Sequence, residues 1–157
     1  MFSAGGAANA LRGLLGLTLR TLVCLPPCED PRYCDAAREC PYAYIFEPSS
    51  STAGPSGLDS RPRPFVIRAH HLDGKTLSAG VPFHFDLHLF EGRRPLLYHF
   101  SRAFARIAES GLGKGRRRAR LLRVEPLGPD GAPRNDACAS SAPPKVVNIP
   151  VAARIDG

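Results

Sequence analysis

The alternation of apolar and polar positions predicts helices and strands along most of the chain. Apolar residues recur at helical spacing from about Ala8 to Val23, and again between Pro95 and Gly111, so each stretch is predicted to be an amphipathic helix. From Val81 to Leu89 apolar and polar residues alternate, as in a strand with one buried face. Shorter apolar runs predict strands at 65–68, 119–124 and 146–151.

The order of these elements predicts the fold class. Helix, strand, strand, helix, strand is the order of an α+β, ferredoxin-like (RRM-related) βαββαβ domain that lacks its first strand. The residues before the first helix are too few to form the missing first strand. We therefore expect an unpaired sheet edge or a gap beside that helix. Three explanations stay open: a misplaced start, a truncated chain, or completion by another chain, of which a homodimer is one form.

The length and composition favour one domain with irregular extensions. A chain of 157 residues can bury one core but not comfortably two. We predict the domain over residues 7–125, with a cysteine-rich insertion at 24–47 and a flexible, Ser-, Pro- and Gly-rich linker at 48–64. Residues 126–157 are predicted to be a loose C-terminal extension.

The charge balance predicts a polyanionic partner. Lys and Arg number 21 against 14 Asp and Glu, which gives a formal charge of +7, and nucleic acid is the simplest partner for such a surface. The acid-free N-terminus also fits a targeting segment, but Arg20 interrupts its apolar run. No other segment is apolar enough to cross a bilayer, so we expect a soluble, cytoplasmic protein without a membrane partner.

A glycine-rich loop followed by arginines is the strongest chemical signal in the sequence. Glycines permit positive φ and close approach of the backbone, and arginines form paired hydrogen bonds with phosphate oxygens. The loop is therefore predicted to bind RNA phosphates. The alternative is that Gly111 merely ends a helix and that the arginines form a solvated strand. The predicted RNA-binding residues are Gly111, Gly113, Lys114, Gly115, Arg116, Arg117, Arg118 and Arg120.

Four closely spaced cysteines leave three alternatives. They could form a structural zinc site in a reducing cell, remain thiols, or form two disulfides in an oxidising compartment. The spacing lacks the paired C-x-x-C motifs of a strong zinc signature, and Cys138 has no obvious partner. The four residues are Cys24, Cys28, Cys34 and Cys40.

Several segments in one order resemble CRISPR-associated repeat-RNA-processing endoribonucleases of the RAMP superfamily, the Cas-six type. The likeness extends over about residues 5–125. The segments that carry it are 9–16, 40–48, 63–68, 85–90 and the glycine loop at 111–116.

This resemblance implies ferredoxin-like domains, usually two in tandem, that cleave CRISPR precursor RNA within each repeat. Cleavage in that family uses no metal or other cofactor, because a ribose 2′-hydroxyl attacks the adjacent phosphate and leaves a cyclic phosphate and a 5′-hydroxyl. The glycine loop contacts the RNA. The expected partners are repeat or guide RNA and other CRISPR-associated subunits. Since a complete first strand and a recognisable second domain are lacking, we expect a partial or short form.

Histidines are the natural acid and base for this reaction, because imidazole titrates near neutrality. His70 and His71 follow a short strand and are the predicted catalytic pair. His84 and His88 share one face of the next strand with a carboxylate, which favours a polar sheet face over a metal site, and His99 is predicted to be structural. Two alternatives remain: a non-catalytic, guide-RNA-binding RAMP subunit of an effector complex, and a zinc-binding interaction module.

Overall fold

The computed structural model describes residues 2, 4–24, 29–47, 62–90, 96–112, 115–127, 132 and 147–155, the last of these through the course of the main chain. The helices are α1 (Ala7–Val23), α2 (Pro41–Phe46) and α3 (Leu96–Ser110). The strands are β1 (Phe65–Arg68), β2 (Pro82–Leu89), β3 (Ala119–Val124) and β4 (Val147–Ile155), and short 3₁₀ turns occur at Pro31–Tyr33 and His70–Leu72.

The four strands form one antiparallel sheet in the order β1-β2-β4-β3. β4 pairs with the whole of β2, from Pro82 opposite Arg154 to Leu89 opposite Val147, and with β3 on its other side. The α+β class is therefore confirmed. β4 lies within the predicted C-terminal extension, where the sequence also predicts a last strand, and it is a central strand of the sheet.

Helices α1 and α3 cover one face of the sheet and build the core there. Along β2, Phe83 and Phe85 are buried with the leucines that follow at alternate positions, while His84 is exposed on the opposite face. Burial of each large apolar side chain contributes about 1.5–3 kcal/mol. The fully buried residues of the two helices include Leu11, Leu15, Leu19, Leu96 and Phe100.

Helix α2 attaches the cysteine-rich insertion to this core. Its Phe46 ring packs on Gly16 of α1, where an added Cβ would lie 3.1 Å from the ring. The same ring lies 5.3 Å from the Phe65 ring, which in turn lies 5.1 Å from Phe100. Phe46 and Phe65 therefore both belong to the helix-covered core.

The turn at His70–Leu72 is fastened to the N-terminus of α1. Asp73 accepts a hydrogen bond from the backbone N–H of Ala7 at 2.8 Å, and the N–H of Phe2 donates to the carbonyl of Lys75 at 3.1 Å. The Asp73 carboxylate thus accepts from a helix N–H that has no acceptor within the helix, and it lies at the positive end of the helix dipole. The histidine turn is thus positioned by a contact between distant parts of the sequence.

Most predicted element boundaries agree with the structure to within one residue. The strand expected at Val81–Leu89 begins at Pro82, and the helix expected from Ala8 begins at Ala7. The last strand continues to Ile155 rather than ending at 151. Residues 48–61 of the predicted linker, and Pro95 before α3, lie outside the described residues.

Candidate nucleic-acid interface

The glycine loop begins as a sharp reversal at the end of α3. Gly111 has φ +98°, and its N–H donates to the Ile107 carbonyl at 2.9 Å. Leu112 and Arg117 then form an isolated antiparallel bridge with hydrogen bonds of 2.8 and 3.1 Å. A Cβ on residue 111 would lie 2.3 Å from the Arg116 carbonyl oxygen, so only glycine fits.

Gly115, the other described glycine of the loop, has a less constrained backbone than Gly111. Gly115 has no positive φ, and a Cβ there would make only ordinary contacts with the Arg117 side chain. Arg116 takes the left-handed conformation instead, with φ +45°. Gly113 and Lys114 lie outside the described residues. The structure therefore requires glycine at 111, while phosphate binding by the loop stays a prediction.

The arginines that follow the loop present their charge to solvent. Arg116, Arg117, Arg118 and Arg120 are exposed, whereas Ala119 between them is buried. None of the four forms an ion pair with a described residue, while Arg123 lies 3.2 Å from Glu125. The loop and the start of β3 thus form a cationic surface with no ion-pair partner in the described part of the chain, which we call the arginine edge (Arg116–Arg118 and Arg120).

His71 stacks on His84. Their ring centroids are 4.6 Å apart with planes inclined by 25°, and His71 Nε2 lies 2.8 Å from the His84 carbonyl oxygen. Because a carbonyl can only accept, Nε2 must carry a proton, and in the neutral ring Nδ1 is the basic nitrogen. His70 meets His71 edge-on at 5.9 Å. The predicted pair is therefore joined by a third imidazole from β2.

His88 lies further along the same face of β2 and is partly shielded from water. Its Nε2 is buried and has no hydrogen-bond partner among the described residues. Burial lowers the pKa of His88, the nearby Arg68 guanidinium lowers this pKa further, and Asp86 opposes both effects. The neutral ring is thus favoured, as expected for a group facing a partly dry surface.

The strand register places the histidines and arginines on the same open face. Arg123 lies opposite Ala152 of β4, and Ala152 lies opposite His84 of β2. Neighbouring strands are about 4.8 Å apart, so β2 and β3 are separated by about 10 Å here. One step along the sheet, Arg120 lies opposite Arg154. No described helix covers this face, so a chain of nucleotides could contact both groups.

The family model AF_1859_N, described as an N-terminal domain, matches residues 6–143. The chain belongs to this family. No curated protein matches the chain, and no solved structure matches it either. The AF_1859_N region includes all three helices, the histidine turn and the arginine edge, and β4 lies beyond it.

His99 lies away from the open face. It is half-buried on α3, which packs against the other side of the sheet. Burial lowers its pKa, and the Arg102 guanidinium lowers the pKa further. The structural role of His99 stays a prediction.

The described cysteines of the AF_1859_N region do not form a recognisable metal site. Cys24 is buried, Cys34 and Cys40 are half-buried, and none of the three is in a disulfide. No group of three or more potential metal ligands occurs within the described ranges. Cys28 and Cys138 lie outside them, so the zinc alternative stays a prediction.

Among the residues that the structure describes, no helix is both long and apolar enough to cross a membrane.

Proposed function

We propose that the protein processes CRISPR precursor RNA by metal-independent cleavage within the repeat. The observation that carries this proposal is the stack of His71 on His84 at the margin of an uncovered sheet face. Acid and base catalysis by imidazole and phosphate binding by guanidinium are the two requirements of the reaction, and both groups occur on this face. The resemblance of the ordered sequence segments to the Cas-six type supports the same function.

The strand order supports a ferredoxin-like reading of the fold. In a βαββαβ sheet, the first strand lies between the third and fourth strands. In this chain β2 and β3 correspond to those two strands, and β4 lies between them. We infer that the C-terminal strand replaces the missing first strand, so that a single chain completes the RRM-related sheet.

The proposed reaction uses one imidazole as a base and another as an acid. A neutral ring removes the proton of a ribose 2′-hydroxyl, and the 2′-oxygen forms a bond to the adjacent phosphorus. The bond from phosphorus to the 5′-oxygen breaks, and a protonated imidazole gives its proton to that oxygen. His71 Nδ1 and the exposed His84 ring are the nearest candidates, with His70 beside them. Guanidinium groups stabilise the charge that develops on the phosphate.

Labelled repeat RNA incubated with the protein in EDTA tests this proposal. We expect a product with a 2′,3′-cyclic phosphate, and no product from RNA with a deoxyribose before the scissile phosphate. H71A and H84A should each lower the cleavage rate by about 10²-fold or more. H99A removes a histidine from the opposite side of the sheet and should cleave at the normal rate. Wild-type cleavage by H71A and H84A would exclude both histidines from the chemistry.

Guide-RNA binding without cleavage is the second candidate, and one contact favours it. His71 Nε2 is engaged with the His84 backbone carbonyl, a structural task that fixes the turn to β2. If this is its main role, the same incubation will give intact RNA bound to the protein. The length of the labelled RNA after incubation therefore separates the two functions.

Both functions require phosphate contacts, so binding should depend strongly on salt. For single-stranded RNA the slope of log K against log salt is about −0.7 per neutralised phosphate. We expect a slope of about −3 if the exposed arginines Arg116, Arg117, Arg118 and Arg120 each neutralise one phosphate. A flat salt response would exclude the arginine edge from RNA binding.

A further inference from the structure

We propose that Arg68 is a further catalytic residue, which binds the scissile phosphate of the RNA beside the stack of His71 on His84. This proposal rests on the proposed function and names the group that stabilises the charge of the reaction. Arg68 is the last residue of β1 and the Cα partner of Asp86 on β2. It therefore ends the strand that leads into the histidine turn.

The burial pattern places Arg68 on the open face of the sheet. Along β1, Phe65 is buried in the helix-covered core, whereas Arg68, three residues later, is exposed. Its partner Asp86 follows His84 by two residues on β2. Because successive side chains of a strand point to opposite faces, Arg68, Asp86 and His84 all belong to the face that no described helix covers.

The strand register brings the Arg68 guanidinium within reach of the two stacked rings. Diagonal neighbours on adjacent antiparallel strands have Cα atoms about 7–8 Å apart, which long side chains can span. Arg68 and His84 are such a pair, because Arg68 lies opposite Asp86. His71 follows Arg68 by three residues and contacts His84 through its ring and through Nε2. A phosphate beside these rings would thus have a guanidinium next to it.

The arginine edge lies further from the stack than Arg68 does. β2 and β3 are separated by about 10 Å, because β4 lies between them, whereas β1 and β2 are direct neighbours about 4.8 Å apart. The scissile phosphate is therefore assigned to Arg68, and the flanking phosphates belong to the arginine edge.

The charges around Arg68 favour an anion even though its cross-strand partner is a carboxylate. His88 follows Asp86 by two residues on the same face of β2. The Arg68 guanidinium lowers the pKa of His88 more than the Asp86 carboxylate raises this pKa. Of the two charges, the cation thus has the larger effect at this end of the open face.

A guanidinium suits the chemistry of the scissile phosphate. Its planar fork can donate two hydrogen bonds to the two non-bridging oxygens. Negative charge on these oxygens increases as the 2′-oxygen bonds to phosphorus and before the 5′-oxygen leaves. Arg68 stays protonated and transfers no proton, so the imidazoles remain the acid and the base. A donor aligned with this developing charge accelerates the chemical step more than it strengthens binding.

Single-turnover cleavage of labelled repeat RNA in EDTA tests the chemical role. At saturating protein, we expect R68Q to lower the rate by about 10²-fold, as for the loss of one donor to a developing oxyanion. R68K keeps the charge but loses the fork, so its rate should lie between those of R68Q and wild type. R12Q is the matched control, because Arg12 is exposed on α1, which covers the other face of the sheet. Equal rates for R68Q and R12Q would overturn the catalytic role.

The salt dependence of RNA binding tests the phosphate contact without any cleavage. The probe is the 2′-O-methyl form of the same RNA, which lacks the attacking hydroxyl. Loss of one phosphate contact reduces the slope of log K against log salt by about 0.7 for a single strand. R68Q should show this reduction, while R68K and R12Q should keep the wild-type slope. A wild-type slope for R68Q would refute the contact, and a slower cleavage rate would then reflect a structural role.

The two measurements separate a failure of this proposal from a failure of the proposed function. If wild type cleaves the RNA while R68Q keeps the wild-type rate and slope, Arg68 does not bind the phosphate and the proposed function stands. If wild type binds the RNA without cleaving it, the proposed function fails together with the catalytic role, and a reduced slope for R68Q shows the phosphate contact alone. If wild type does not bind RNA, both fail. Thermal unfolding of R68Q at the wild-type temperature verifies that the variant is folded.

Discussion

Gly111 shows how one residue determines the course of the candidate interface. It ends α3 in the left-handed region, and its missing side chain leaves room for the backbone of Arg116. The chain can therefore return at once into β3 and expose successive arginines. Gly111 therefore ends the helix, as the alternative interpretation requires, and it also allows the tight return of the chain, while phosphate binding by the loop stays a prediction.

Substitution of this glycine should be far more damaging than substitution of its neighbour in the loop. We expect Gly111→Ala to lower the free energy of unfolding by about 2 kcal/mol or more, because positive φ and the 2.3 Å approach both oppose a Cβ. Gly115→Ala is the matched control and should change stability by less than about 0.5 kcal/mol. Chemical denaturation of both variants measures the difference, and equal stabilities would contradict the close approach.

His88 should make stability depend on pH. Its folded-state pKa is lowered by burial and by Arg68 from 6.5, so the unfolded chain binds more protons between the two pKa values. Stability is then full above about pH 6.5 and falls as the pH decreases through that interval. The pKa of His99 is also lowered, by burial and by the Arg102 guanidinium. Thermal unfolding should therefore occur at a lower temperature near pH 5 than near pH 7.5.

The variant H88Q isolates this contribution, since glutamine is similar in size and never charges. We expect a smaller difference in melting temperature between the two pH values for H88Q than for wild type. An unchanged difference would mean that protonation of His88 does not oppose folding.

At the scale of elements, α1 depends on a residue far away in sequence. Its own N-cap residue, Gly6, offers no side-chain cap, and Asp73 provides the hydrogen bond to Ala7. The helix start and the His70–Leu72 turn are consequently held together by one carboxylate. A change at Asp73 should affect both the helix and the candidate catalytic turn.

We expect Asp73→Ala to destabilise the protein by about 1 kcal/mol, the usual cost of a lost cap. Asp73→Asn keeps an oxygen acceptor and should lose less. Asp35 is exposed in the cysteine-rich insertion, so Asp35→Ala serves as the control. Urea denaturation measures the free energy of unfolding of the three variants. Equal values for Asp73→Ala and Asp35→Ala would refute the capping role of Asp73.

At the scale of the whole molecule, β4 joins the two halves of the sheet. β1 and β2 form a hairpin on one side, β3 lies on the other, and only β4 pairs with both β2 and β3. Pro150 is paired with β2 at a point where β3 has already ended. Proline has no N–H to donate to a neighbouring strand, and the described register of β3 with β4 ends at Val151, one residue after this position.

Removal of β4 should therefore prevent cooperative folding. A chain ending at residue 146 leaves β3 without a described strand partner and exposes the unpaired edge of β2 that β4 covers. We expect it to lose the sharp thermal transition, while a chain ending at residue 155 should retain it. Circular dichroism during heating distinguishes the two, and a sharp transition in the shorter chain would show that β4 is dispensable.

The sequence by itself determined two of the helices and the strands β1, β2 and β3, whereas it missed the short helix α2. Helical spacing located α1 and α3, and strict alternation located β2 with its histidines on one face, because these periodicities are local properties of the backbone. Only the tertiary structure decided that β4 inserts between β2 and β3, that Arg120 lies opposite Arg154, and that His71 stacks on His84. Each of these depends on pairing between segments distant in sequence, and strand register is selected by the packing of the whole sheet rather than by any local pattern.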